Sequence, residues 1–84
     1  MSGGHFDYKQ HHIRDIADEI ERVIEKEYEG EVRFDDKTIV RLIQGVIALR
    51  IAETYAQRID WLLSGDDGEE TFLQRLKADL KEIK

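Results

Sequence analysis

The sequence predicts an all-α fold of three helices, and three observations carry that prediction. Apolar residues recur at spacings of three and four through most of the chain, the period of a helix face. None of the 84 residues is proline, so no helix is forced to break. Glycine supplies the punctuation, at Gly3 and Gly4, at Gly30, and at Gly65 and Gly68. The reading is a single domain over 1–84. Its helices run over about 8–28, 36–63 and 69–83, with residues 1–7 expected to be disordered.

The first helix follows from Ile13, Ile16, Ala17, Ile20, Val23 and Ile24, which share one face. Asp15, Asp18, Glu19, Glu21, Arg22 and Glu25 fall between them as a solvated face. Asp7 is a candidate N-cap and Gly30 a candidate stop. Residues 31–34 read as extended, too few for a sheet.

The second helix is the informative one. Asp35 can cap it, with Phe34 before the cap and Ile39 at the fourth helical position, a hydrophobic-staple pattern. At about 100° per residue it has two apolar faces. Ile39, Leu42, Ile43, Val46 and Ile47 mark one side of its first half. Ala52, Tyr55, Ala56, Ile59, Leu62 and Leu63 mark the opposite side of its second half. A helix apolar on two sides must be covered twice, and two short partners are few for its length. Gly45, Ala48, Ala52 and Ala56 form a line of small residues along the second side, which lets another helix approach closely. The expected assembly is therefore a homo-oligomer joined through those four residues. The competing reading is a monomeric three-helix bundle.

The third helix opens after Ser64-Gly65-Asp66-Asp67-Gly68. Asp67 and Glu70 have capping-box spacing, and Phe72, Leu73, Leu76, Leu80 and Ile83 share a face.

Composition excludes several functions. The formal net charge is −6, from 13 Lys and Arg against 19 Asp and Glu. There is no cysteine, so disulfides, thiolate metal sites and cysteine nucleophiles are excluded. No apolar run is long enough to span a bilayer, and the N-terminus lacks a signal-peptide core. The expected location is the cytoplasm, without membrane association. Residues 33–58 carry a net +2 inside an otherwise acidic chain. Five dispersed cations make a poor basic stripe, so nucleic acid is an unfavoured partner. The loop 64–68 is too short for a twelve-residue calcium loop, and its carboxylates repel phosphate. His11 and Asp15 could share one ligand, but adjacent His11 and His12 point to different faces, so no metal site is expected. The carboxylate pairs lie on exposed faces with no pocket to shift them, and no nucleophile–base set stands out. Neither catalytic residues nor a cofactor is expected; the chain reads as a non-enzyme.

Two binding sites remain as candidates. Arg50, Thr54, Gln57 and Trp61 form one stripe, with Arg58 beside it. Arginine forks suit phosphate, and Trp61 could stack on a base. The stronger reading of the same residues is a solvated face, with Trp61 packed against the third helix and arginine stems covering apolar area. The other candidate is the acidic surface of the first helix, with Glu19, Glu21 and Glu25 as its protein-binding residues.

The opening MSGGHFDYKQ, the stretch HHIRDIADEIERVI and the block YAQRIDWLLSGDDGEETF resemble a family of small acidic proteins encoded by phages and prophages. The resemblance covers most of the chain and is least close over 29–38. It implies a phage accessory protein at work in the cytoplasm of a bacterial host, binding stoichiometrically, and it brings no catalytic residues. Within that frame, one reading is inhibition of a host defence protein through the acidic helical surfaces. The alternative is an oligomeric sponge for a small anionic or nucleotide signal, and a further one is a structural or assembly role.

Overall fold

A computed structural model describes residues 6–28, 30 and 34–83. Three helices account for it: α1, Gln10–Tyr28; α2, Asp36–Leu63; and α3, Glu69–Lys81. Among the described residues there is no strand, so the chain is all-α. The extended reading of 31–34 lies outside the described residues except at Phe34, which belongs to no strand.

α2 begins as its sequence directs. Asp35 is the N-cap, in extended geometry, and its carbonyl accepts the N–H groups of Thr38 and Ile39. Its side chain makes no capping hydrogen bond. The exit from α2 is a Schellman turn. The Asp66 N–H bonds the Trp61 carbonyl at 2.9 Å and the Gly65 N–H bonds the Leu62 carbonyl at 3.2 Å. Gly65 takes the left-handed position this turn demands, with φ of 85°.

Two expected caps are corrected. Asp7 does not cap α1: it has φ of 57° in a turn three residues ahead of Gln10, and N-cap residues need extended backbone. The Asp67–Glu70 box does not form either. Gly68 is the N-cap of α3, so Asp67 stands one position outside the box, and no side chain caps the helix. α3 also stops at Lys81, with Glu82 as its C-cap, rather than at 83. The disorder expected of 1–7 lies outside the described residues for 1–5. Phe6 and Asp7 sit in a turn closed by a bond from the Lys9 N–H to the Phe6 carbonyl.

α1 and α3 both run antiparallel to α2, and they pack on α2 and not on each other. Long-range bonds set the first register: Gln10 meets Gln57, Arg14 meets Glu53, and Asp18 and Glu21 meet Arg50. On the other flank Arg58 meets Asp79. The result is an open V, 47 × 26 × 14 Å, whose long axis is α2. Its radius of gyration is 15.7 Å, against about 12 Å for a compact chain of this length.

The core is correspondingly thin. Ala17, Ile24, Ile39 and Val46 are its buried apolar members, and among the described residues no large side chain is fully enclosed. Ile39 and Val46 point toward α1, so the first apolar face of α2 is partly covered, although Ile43 stays 38% exposed. The second apolar face is open. Ala48, Ala52, Tyr55 and Leu63 are exposed there, and Gly45, Ala56, Ile59 and Leu62 are half-buried.

Candidate functional site

The V has two unlike sides, and ion pairs define the first. At about 100° per residue, Arg14, Asp18, Glu21 and Glu25 lie on one flank of α1, beyond the buried line of Gln10, Ala17 and Ile24. That flank meets Arg50 and Glu53 of α2. Arg50 Nη2 donates to Asp18 Oδ1 at 2.7 Å and to Glu21 Oε1 at 2.8 Å. Arg14 Nη2 reaches Glu53 Oε2 at 2.6 Å. On the α3 side Arg58 Nε donates to Asp79 Oδ2 at 2.6 Å, and its guanidinium lies 4.8 Å from the Trp61 ring centroid. The hydrogen bond from Arg50 to Asp18, aided by the charge of Glu21 and opposed by partial burial, raises the Arg50 pKa above its usual value.

These contacts line two shallow troughs. One, of about 260 Å³, is framed by Arg14 from α1, Glu53, Thr54, Gln57, Arg58 and Trp61 from α2, and Asp79 from α3. The other, of about 400 Å³, lies between Glu21 and Arg50 on one side and Glu82 and Ile83 on the other. The two troughs and their ion pairs hold five carboxylates (Asp18, Glu21, Glu53, Asp79 and Glu82) against the three guanidiniums of Arg14, Arg50 and Arg58. Their balance is therefore −2, with each of these guanidiniums already paired.

The structure brings four of the five residues of the candidate anion stripe to one trough and pairs both of its arginines. Thr54, Gln57, Arg58 and Trp61 share the first trough, and Arg50 stands in the second. Thr54 Oγ1 donates to the Arg50 carbonyl at 2.9 Å, a turn of helix back. Gln57 Oε1 accepts from Gln10 Nε2 at 2.9 Å. Both arginines face carboxylates, which an entering phosphate would have to displace. Of the acidic trio, Glu21 and Glu25 lie on the polar side. Glu19 lies on the outer edge of α1, roughly 120–160° round from them.

A buried group that the sequence did not single out ties α1 to α2. Asp60 is 3% exposed. Its Oδ1 accepts the Phe6 N–H at 2.7 Å and its Oδ2 accepts from Gln10 Nε2 at 3.5 Å. Gln10, also 3% exposed, thus bridges Asp60 and Gln57. One carboxylate inside an otherwise apolar repeat was the available signal. His11 stacks on Tyr8, with ring centroids 5.7 Å apart. Among the described residues no group of three His, Cys, Asp or Glu could hold a metal ion, and no helix is long and apolar enough to cross a membrane.

The second side of the V is uncharged over residues 45–63 of α2, while nearer the start of the helix the same face carries Lys37 and Arg41. Over residues 45–63 of α2, every charged residue (Arg50, Glu53, Arg58 and Asp60) projects toward α1, α3 or the troughs. The remaining arc, about 140° wide at 100° per residue, runs from Gly45 through Ala48, Leu49, Ala52, Tyr55, Ala56 and Ile59 to Leu62 and Leu63. It contains no charge. All four of the proposed interface residues, Gly45, Ala48, Ala52 and Ala56, lie on it. Nothing stands within 4 Å of the position a Gly45 Cβ would take.

No protein-family model matches the chain, and no curated protein and no solved structure matches it either.

Proposed function

We propose that this chain is a non-enzymatic, self-associating binding protein whose acidic polar side docks on a basic surface of a partner protein and occludes it. The observation that supports this most directly is the −2 balance of the troughs and their ion pairs after Arg14, Arg50 and Arg58 are each paired. Complementary fields of this kind speed encounter and select partners. The resemblance to small phage proteins makes a bacterial host protein, such as a defence factor in the cytoplasm, the natural target.

Sequestration of a small anionic or nucleotide ligand is the second reading. It is favoured by the convergence of Thr54, Gln57, Arg58 and Trp61 on one trough. The carboxylates seated on both guanidiniums count against it, because a bound anion would leave Asp18, Glu21 and Asp79 unpaired beside it.

Immobilised wild-type chain, a Glu21→Lys/Glu25→Lys variant and a Glu19→Lys variant would each be incubated with lysate of a phage-susceptible bacterium. Retained proteins would be quantified by mass spectrometry. The account expects a protein with a basic surface that is held by wild type and by Glu19→Lys and lost by the double variant. A retained set identical for all three overturns acidic docking. Native mass spectrometry of the gently purified chain separates the second reading, which requires a stoichiometric small-molecule adduct.

A further inference from the structure

We propose that the uncharged arc of α2 is the self-association surface, and that its occupant is the same arc of a second copy, packed helix on helix about a two-fold axis near Ala52. This rests on the reading that the chain self-associates, and adds which side is buried and which is left free.

Surface area gives the first argument. The chain exposes 6287 Å², whereas a folded monomer of 9.9 kDa exposes about 5,200 Å². The surplus, about 1,100 Å², is of the size that one partner contributes to a standard stable interface, about 800 Å². The thin core requires such cover, since a chain this short with four buried apolar side chains encloses little on its own.

Part of the exposed apolar surface sits where a partner could remove it. Ile16 is 52% exposed and Leu63 53%. On α1, Ile13, Ile16, Ile20 and Val23 lie on the flank opposite the ion pairs, so they border the arc from one side. On α3, Leu73 is 62% exposed and lies on the flank away from Asp79, bordering the arc from the other. An apolar surface contributed by all three helices exceeds the scattered exposed residues of an ordinary monomer.

Charge selects the occupant. Each copy carries −6 overall, so two copies repel unless they meet where neither bears charge. The arc meets that condition and the polar side does not. Small side chains at Gly45, Ala48, Ala52 and Ala56 let two α2 helices approach closely enough for the bordering leucines and isoleucines to be covered as well. A two-fold pairing is self-complementary by construction, so one surface suffices. The two acidic sides then face outward, and the assembly offers at least two docking sites, which raises apparent affinity for a multivalent target.

The chain has no cysteine, so single substitutions report proximity cleanly. Ala52→Cys and Glu25→Cys would be oxidised at low micromolar concentration and resolved by non-reducing electrophoresis, with wild-type mass measured by light scattering. The proposal expects Ala52→Cys to become a covalent dimer and Glu25→Cys to remain monomeric on the gel. It also expects Ala52→Glu to lose the multimer while Glu25→Lys keeps it. A wild-type particle of 9.9 kDa would overturn both self-association and this interface. A multimer that cross-links through Glu25→Cys and not through Ala52→Cys would overturn the interface alone.

Discussion

Asp60, buried on the long helix, takes the backbone N–H of Phe6 at 2.7 Å across a sequence separation of 54 residues. The bond ties the start of the described chain to the far end of α2. Gln10 completes it by donating to both Asp60 and Gln57. Asp60→Ala removes both acceptor oxygens and leaves Gln10 with one partner fewer in a buried setting. Losing such bonds costs about 1–3 kcal/mol, and about 4–8 °C of melting temperature per kcal/mol in a domain this small. Asp60→Asn keeps a carbonyl oxygen for Phe6 and is expected to lose less. Circular dichroism melts at one fixed protein concentration would rank wild type, Asn and Ala in that order.

The exit from α2 gives a purely conformational prediction. Gly65 has φ of 85°, and no atom stands within 4 Å of where its Cβ would be. Gly65→Ala therefore meets no clash, and its cost is backbone strain alone, about 1–2 kcal/mol. Gly45, on an open helical face, has the opposite expectation. In the protomer Gly45→Ala gains about 0.5–1 kcal/mol of helix propensity. Urea titration would show the Gly65→Ala midpoint falling, and circular dichroism of samples diluted until the copies separate would show Gly45→Ala retaining more helix than wild type.

The Arg50 cluster predicts a particular insensitivity to pH. Its hydrogen bond to Asp18 raises a guanidinium pKa that is already high. For a cation so raised, the stabilisation is complete below the unfolded value and is lost only as pH climbs through the folded one. The window of loss thus lies in strong alkali. The melting difference between wild type and Arg50→Ala should stay constant from neutral to mildly alkaline pH. It should shrink with added salt, since Asp18 and Glu21 are both substantially exposed. A difference that falls away between neutral and mildly alkaline pH would contradict the assignment.

Arg58 is held differently, between the Asp79 carboxylate and the Trp61 face. Arg58→Lys keeps the charge but gives up the planar fork and the stacked plane. The substitution is expected to loosen α3 from α2, since Arg58–Asp79 is the ion pair that joins them among the described residues. Hydrogen exchange would register this as faster exchange over Glu69–Lys81 with α1 unchanged.

Much of the architecture was legible because the local signals agreed. The bounds of α2 follow from Asp35 ahead of a continuous helical pattern and from the glycine that ends it, and the structure places both there. The caps were legible only in part. Asp67 and Glu70 have the right spacing, yet Gly68 takes the extended backbone of the N-cap and shifts the frame by one residue. Asp7 is a good capping residue whose backbone adopts the left-handed region instead. Register was not legible at all. Nothing local tells that Arg50 meets Asp18 and Glu21 or that Asp60 meets Phe6, because those pairs depend on how two helices slide past each other. For that reason the stripe reads in sequence as free donors, whereas in three dimensions Arg50, Gln57 and Arg58 fasten α2 to its neighbours and Thr54 and Trp61 partner groups of α2 itself.

Self-association explains an open V with a thin core and a side of α2 that is uncharged over residues 45–63. Its most direct test is the absolute mass of the full chain by light scattering across a dilution series into the high micromolar range, with helicity recorded on the same samples. The account expects a particle at an integer multiple of 9.9 kDa, losing helix as dilution separates the copies. A fully helical particle of 9.9 kDa at the highest concentration would contradict it.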